Sequence, residues 1–317
     1  LADTLPPVII TRDVVLTLDT TGHATLTPQM ADDGSLDDCT VATLSVSKTD
    51  FTCADVGDTE VILTATDQNN DSASLPVSAD CLKGSVATLA DGKLTIGTDN
   101  PAYGPWFADN DPSNGKGYES AVGYAIAEKL GFGKADVVWA KVPFNKVVLP
   151  GAKDFDFDLN QVSITEERKK AVDFSSGYYD VVQTVVSYKG SPIDGVTTVA
   201  ALKDAKLGGQ VGTTSLRAIS DQIGAKASVY DTNDAAVQAL QAKQIDGIVV
   251  DLPTAFYMTA AQLDDGVIVG QLPLAGAAEQ FGAVLDKGSS LTPCVTAAVD
   301  ALRADGTLDK LVAQWLS

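Results

Sequence analysis

The 317-residue sequence predicts two folds in series: a small all-β unit over residues 1–80 and a larger α/β unit over residues 81–317. Three observations carry this. Residues up to 80 form short alternating runs separated by Asp, Gly and Asn, whereas the later strands alternate with helical patterns. The charge changes at the same point. Before Cys81 there are two basic residues, Arg12 and Lys48, against fourteen acids, a net of about −12 within a chain total of −20. Finally, Phe51 is the only aromatic residue before Cys81, and every Tyr and Trp follows it.

In the first unit, strands are expected over Val14–Leu18, Ala24–Leu26, Val41–Val46, Val61–Thr66 and Ala73–Val77, all rich in Val, Ile, Leu and Thr. Their spacing of roughly ten residues points to a β-sandwich, and no window has a helical period. A core with one aromatic is thin, so a cross-link would help. Cys39 and Cys53 flank a strand and a turn, and closing a loop of about 15 residues stabilises by roughly 3 kcal/mol. Two acidic groups are candidates for calcium: Asp32, Asp33, Asp37 and Asp38, and the run Asp67, Asn69, Asp71. The alternative is solvated turns, where Asp and Asn bond the local backbone.

In the second unit, Leu94–Thr98 reads as a strand, Tyr118–Leu130 as a helix ended by Gly131, and Val137–Trp139 as a strand. Lys206–Val211 is a strand leading through Gly212, Thr213 and Thr214 into a helix. Ala235–Ala242 is helical, Ile245–Val250 a buried strand, and Pro293–Leu316 a helical stretch broken at Gly306. The alternation argues an α/β unit with mostly parallel sheets, whose ligands collect at the carboxyl ends of the strands.

Composition excludes several functions. The net charge of −20 repels nucleic acid and anionic membranes. No apolar run approaches the roughly 18 residues that span a bilayer, so no membrane insertion is expected. One histidine, His23, sets aside a multi-histidine zinc site or a serine triad elsewhere. The even count of four cysteines fits an oxidising compartment. The start at Leu1 rather than Met is read as a mature or trimmed form.

Three predicted strand ends carry groups suited to a zwitterion. Ser163 and Arg168 lie in QVSITEERKKAVDFS, Thr214 opens a helix, and Asp251 follows IDGIVV. Arg168 offers a bidentate grip on a carboxylate, Thr214 an N–H at a helix start, and Asp251 an acceptor for an ammonium. Each has a plain alternative: a surface ion pair, a helix start and an N-cap. Their occurrence together, in this order, favours binding.

Two resemblances extend this. The stretch DDCTVATLSVSKTDFTCADVGDTEVILTATDQNNDSAS resembles the immunoglobulin-like HYR-type repeat of bacterial secreted and surface proteins, over most of residues 5–80. The resemblance implies a spacing or adhesion role, with one copy present. From about residue 92 onward the chain resembles the family 3 extracellular solute-binding proteins, the amino-acid receptors of ABC importers. The segments that carry this are SITEERKKAVDFS, LTIGTDNPAYGPWF, GYESAVGYAIAEKLG, GGQVGTTS, IDGIVVD and LRADGTLDKLVAQWL.

That second resemblance implies a two-lobed, type II periplasmic-binding-protein-like fold, with lobe 1 about 90–187 and 286–317 and lobe 2 about 188–285. It implies that Tyr103 and Phe144 sandwich the ligand side chain, that Gln161 contributes its carbonyl and Ser163 its hydroxyl and amide, that Arg168 and Thr214 hold the carboxylate, that Asp251 holds the ammonium, and that Asp99 lies at the far end. Departures from the family's pattern include Gln161 itself, Gly-Tyr-Glu at the first helix, and FDFDLNQ in place of an apolar strand. The implied function is capture of a free amino acid, cationic or neutral polar, outside the cytoplasm for an ABC permease. The protein is then a monomer, without cofactor or catalysis, and an anchor through a removed N-terminal segment is one expectation. Asp99, Glu119 and Asp158 are expected near the side-chain end of the cleft, or else Glu119 as a helix cap and Asp158 in solvent. The alternatives are a surface sensor or adhesion protein using the same domain, and a cyclohexadienyl-dehydratase-like enzyme recruiting one of those acids. Four cysteines allow three connectivities. The expected set is Cys39–Cys53 with Cys81–Cys294, the second closing over 200 residues; the alternative for Cys81 is a lipid or another partner.

Overall fold

The structure, a computed structural model, describes residues 7, 9–12, 14–35, 41–57, 59, 61–67, 72–76, 81–273 and 278–316, without the side chains of 41, 42, 67 and 72–76. The N-terminal part holds β1 (His23–Thr25), α1 (Pro28–Ala31), β2 (Val41–Val46), β3 (Asp50–Thr52), β4 (Ile62–Asp67) and β5 (Ser72–Pro76). They form two small antiparallel sheets, β1–β3 and β2–β4–β5. Leu63 and Ala65 of β4 pack with Ile9, and Leu26, Phe51 and Val61 make a second cluster; Val46 borders both. Val14–Leu18 alternates in exposure as expected but joins no ladder among the described residues. Its inward residues Val14 and Leu16 instead pack directly on the Phe51 cluster. The short β3 and the single helical turn α1 were not expected from the sequence.

The first lobe begins with β6 (Leu94–Thr98), α2 (Tyr118–Lys129), β7 (Val137–Lys141), α3 (Phe144–Val147), β8 (Phe157–Asp158) and β9 (Val172–Val181). The second comprises β10 (Gln183–Tyr188), β11 (Leu207–Gln210), α4 (Thr214–Ala218), β12 (Ala227–Tyr230), α5 (Asn233–Gln241), β13 (Gly247–Asp251), α6 (Leu252–Tyr257) and β14 (Gly266–Gln271). The chain then returns to the first lobe through β15 (Glu279–Asp286), α7 (Thr292–Ala304) and α8 (Thr307–Trp315). The sheet orders are β7-β6-β8-β15-β9 and β12-β11-β13-β10-β14. The sheets change hands at Val182 and again between Gln271 and Glu279, earlier than the expected boundaries at 187/188 and 285/286. The reason is that β10 and β15 each pair within the sheet that follows the crossing. These crossing strands run antiparallel to their neighbours, so both sheets are mixed rather than mostly parallel.

Both sheets are covered on two faces, which is why their central strands read as nearly continuous apolar runs. In β13, Val249 faces one cluster while Ile248 and Val250 face the other. In β15, Val284 packs with Phe144 and Val172, whereas Ala283 and Leu285 join the large core of Trp106, Tyr118 and Ile126. Helix α2 ends where Gly131 takes φ 76°, a left-handed conformation that glycine adopts without strain. Asp156 accepts the backbone N–H groups of Leu89 and Thr95, each at 2.6 Å, which fixes the entry to β6. Cys81 is joined to Cys294 of α7, tying the start of the lobe to its last helices. Cys53 is an exposed free thiol; Cys39, its expected partner, lies outside the described residues. So do Asn69, Asp71, Asp37, Asp38 and the side chain of Asp67. Of the other candidate calcium ligands, Asp32 accepts the N–H of Ser35 at 2.9 Å and Asp33 lies 3.8 Å from Arg12. Among the described residues no helix is long and apolar enough to cross a membrane.

Candidate ligand-binding site

Between the lobes lies a cleft, open to solvent and lined by both. Asp99, Tyr103, Phe144, Gln161, Ser163, Arg168, Thr214 and Asp251 all face it. They come from strand ends and the turns after them: Asp99 follows β6, Phe144 opens α3, Thr214 opens α4 and Asp251 ends β13.

Arg168 is the central cation. Only 6% of it is exposed, and its guanidinium donates to the carbonyls of Ser163 at 2.7 Å and Gly212 at 2.8 Å. It makes no ion pair among the described residues. Burial, with Arg217 nearby, pulls it down to about 10, and Glu279 and Glu167 offset part of that. Its charged carbon sits 5.8 Å from the centre of the Phe144 ring. Because Ser163 belongs to the first lobe and Gly212 to the second, Arg168 also ties the lobes together.

Asp251 is the facing acid. Its Oδ1 caps α6 by accepting from the N–H of Thr254 at 2.9 Å. Burial pushes its carboxyl up to about 6, and Glu279 adds in the same direction. It too has no ion-pair partner among the described residues. The N-cap role and the cleft position therefore coexist in one side chain.

A hydroxyl network joins the lobes beside Arg168. Thr214 Oγ1 donates to Glu279, and Ser163 Oγ lies 3.1 Å from the same hydroxyl. The one hydroxyl proton of Thr214 goes to Glu279, so Ser163 donates to Thr214. Gln183 donates to the other Glu279 oxygen at 3.1 Å. The lobes meet further at Trp106–Thr254, 2.9 Å, and Arg217–Glu167, 2.8 Å.

At the other end, Asp99 accepts the N–H of Asn100 at 2.7 Å, and burial raises its carboxyl. The Tyr103 hydroxyl meets Asp234 of the second lobe; burial and that carboxylate push the phenol up. Of the three acids expected here, only Asp99 lines the cleft. Glu119 neither caps α2 nor reaches the cleft; it is fully buried beneath Gln161. Asp158 is likewise fully buried rather than solvated, with both carboxyl oxygens unpartnered, and burial raises its pKa well above the usual range. Any Cβ at Gly97 would come within 2.5 Å of its Oδ2, so glycine there makes room for it. Glu279, Gln183 and Asp234 escaped sequence reasoning. None sits in a motif, and their partners lie far away in the chain.

Comparison with known proteins agrees with this architecture. Residues 94–317 match the family model of bacterial extracellular solute-binding proteins, family 3. The L-arginine-binding protein of Pseudomonas aeruginosa is 29% identical over 238 residues, covering 72% of this chain and 89% of that protein. The L-cystine-binding protein TcyJ of Escherichia coli strain K12 is 29% identical over 227 residues, 71% and 82% of the two chains. Among solved structures, an ancestral arginine-binding protein bound to arginine superposes with a TM-score of 0.59 at 30% identity, covering 71% of this chain and 98% of its own. With its family model matched over most of the chain, and the two-lobed fold and interlobe cleft in place, this protein belongs to the bacterial extracellular solute-binding proteins, family 3.

Proposed function

We propose that the protein captures a free amino acid in the interlobe cleft, outside the cytoplasm, and presents it as a monomer to an ABC importer. The observation that carries this reading is a buried Arg168 and a half-buried Asp251 lining one cleft, neither with an ion-pair partner among the described residues. A buried charge without a counter-charge is costly, and an α-carboxylate with an α-ammonium supplies both. Arg168 grips the carboxylate together with the first-turn N–H of Thr214, and Asp251 takes the ammonium. The side chain then runs toward Asp99 between Tyr103 and Phe144. Asp99 has no basic partner among the described residues, so a cationic or neutral polar side chain is favoured over an anionic one. The similarity to arginine-binding proteins supports the cationic choice.

The two small N-terminal sheets serve in this reading as a single immunoglobulin-like, HYR-type spacer. A surface sensor using the same cleft is the second reading, favoured by that additional module. Calorimetric titration with the twenty amino acids, ornithine and citrulline tests the proposal. Binding of L-arginine or L-lysine at least about tenfold tighter than L-glutamate is expected. Tightest binding of glutamate would refute the charge argument, and no binding at all would refute the function.

A further inference from the structure

Gln161 has φ 49°, a left-handed conformation that residues with a Cβ rarely adopt. It stands two residues before Ser163, whose carbonyl holds Arg168 and whose hydroxyl meets Thr214. The direction of the chain at Gln161 therefore sets where the carboxylate-binding groups sit. What holds it there comes from another element. Glu119, in the first turn of α2, accepts the backbone N–H of Gln161 at 2.8 Å and its side-chain amide through the other oxygen. The Tyr178 hydroxyl donates to the first oxygen, and the Tyr118 hydroxyl fixes Tyr178 by donating to its carbonyl at 2.6 Å.

We propose that Glu119 is a positioning residue: it locks Gln161 in its left-handed turn and thereby aligns Ser163 and Arg168 for the ligand carboxylate. The inference rests on the amino-acid-binding reading for its functional consequence. Three donors converge on a carboxylate that has no exposure and does not itself line the cleft. A packing role alone would be met by an apolar side chain of similar size, without the desolvation of an acid. Burial holds the carboxyl up at about 7 despite those donors, a cost consistent with a fixed structural use of its oxygens.

The test compares the full-length wild type with Glu119→Gln, Gln161→Gly and the double variant. Amide hydrogen exchange of residue 161 is read without ligand, and L-arginine affinity is read by calorimetry. Glu119→Gln should speed exchange at residue 161 by at least about tenfold and weaken L-arginine binding about tenfold. Gln161→Gly is the reference background for the second comparison, since glycine adopts this conformation unaided and needs no lock. Adding Glu119→Gln to Gln161→Gly should weaken L-arginine binding by less than about threefold, against about tenfold in the wild-type background, and a Glu119→Gln protein that folds only together with Gln161→Gly counts in the same way. Unchanged exchange at residue 161 in Glu119→Gln, or an equal loss of affinity in both backgrounds, overturns the proposal. A wild type that gives no heat with any amino acid refutes the binding function instead, and the exchange data then decide the role of Glu119.

Discussion

Arg168→Ala should nearly abolish ligand binding while leaving a folded protein. The guanidinium is buried, holds two backbone carbonyls on opposite lobes, and has no carboxylate of its own among the described residues. Ligand binding brings that carboxylate into a site of low dielectric. Removing one partner of a buried, hydrogen-bonded charge pair costs about 3–5 kcal/mol, which is a hundredfold or more in affinity at about 1.4 kcal/mol per decade. Two smaller effects act alongside. The carbonyls of Ser163 and Gly212 lose a charged donor, at about 1–3 kcal/mol for each that stays buried without water. The lobes also lose the Arg168–Gly212 tie, which makes closure less favourable. Titration calorimetry with L-arginine measures the loss, and a thermal scan in the absence of ligand separates it from unfolding. Arg168→Lys should recover only part, because a point charge replaces a planar fork. An Arg168→Ala protein that binds within threefold of wild type would refute the assignment of Arg168 as the carboxylate anchor.

Asp251→Asn keeps a good N-cap for α6 but removes the negative charge, so affinity should fall by at least about tenfold with little change in Tm; a large Tm loss at unchanged affinity would contradict the ammonium role. Because the Asp251 carboxyl is raised to about 6, its contribution to folding stability is full below the ordinary carboxylate range and is lost as pH rises through about 6. Binding runs the other way: an ammonium needs the charged carboxylate, so wild-type affinity should drop by up to about tenfold per pH unit below 6. A flat affinity between pH 5 and 7 would refute this; Asp251→Asn should flatten the part due to Asp251, leaving that of Glu119. Cys81–Cys294 spans 213 residues of sequence, a loop whose closure is worth roughly 5 kcal/mol in the chain-entropy model. Its replacement by two serines should therefore lower the urea midpoint clearly while ligand affinity stays within threefold, and an unchanged midpoint would show that the cross-link contributes little. Residues 81–317 alone should bind the same ligand within threefold of the full chain, since every cleft residue lies in that segment; lost binding with an intact fold would place part of the site in the N-terminal sheets.

The sequence by itself determined most of the elements of the second unit and the polar groups at its strand ends. The helix over Tyr118–Lys129, the strand Leu94–Thr98 and the break at Gly306 follow from local periodicity and glycine placement, which need no distant partner. Thr214 and Asp251 were legible from the elements they open or end, and Arg168 from the segment SITEERKKAVDFS; all three line the cleft. Only the tertiary structure decided what lies underneath. Glu119 and Gln161 meet across 42 residues of sequence, and Thr214 and Glu279 across 65. Nothing in local spacing encodes such contacts. The same holds for Asp158, expected at the side-chain end of the cleft or else in solvent. Its strand lies inside a sheet covered on both faces, so the acid is buried beside Gly97. Val14–Leu18 had the alternation of a strand, but a ladder needs a neighbour, and among the described residues its inward side chains meet a core instead. Local pattern sets which residues turn inward; the crossing of the chain between two sheets sets which of them meet across the cleft.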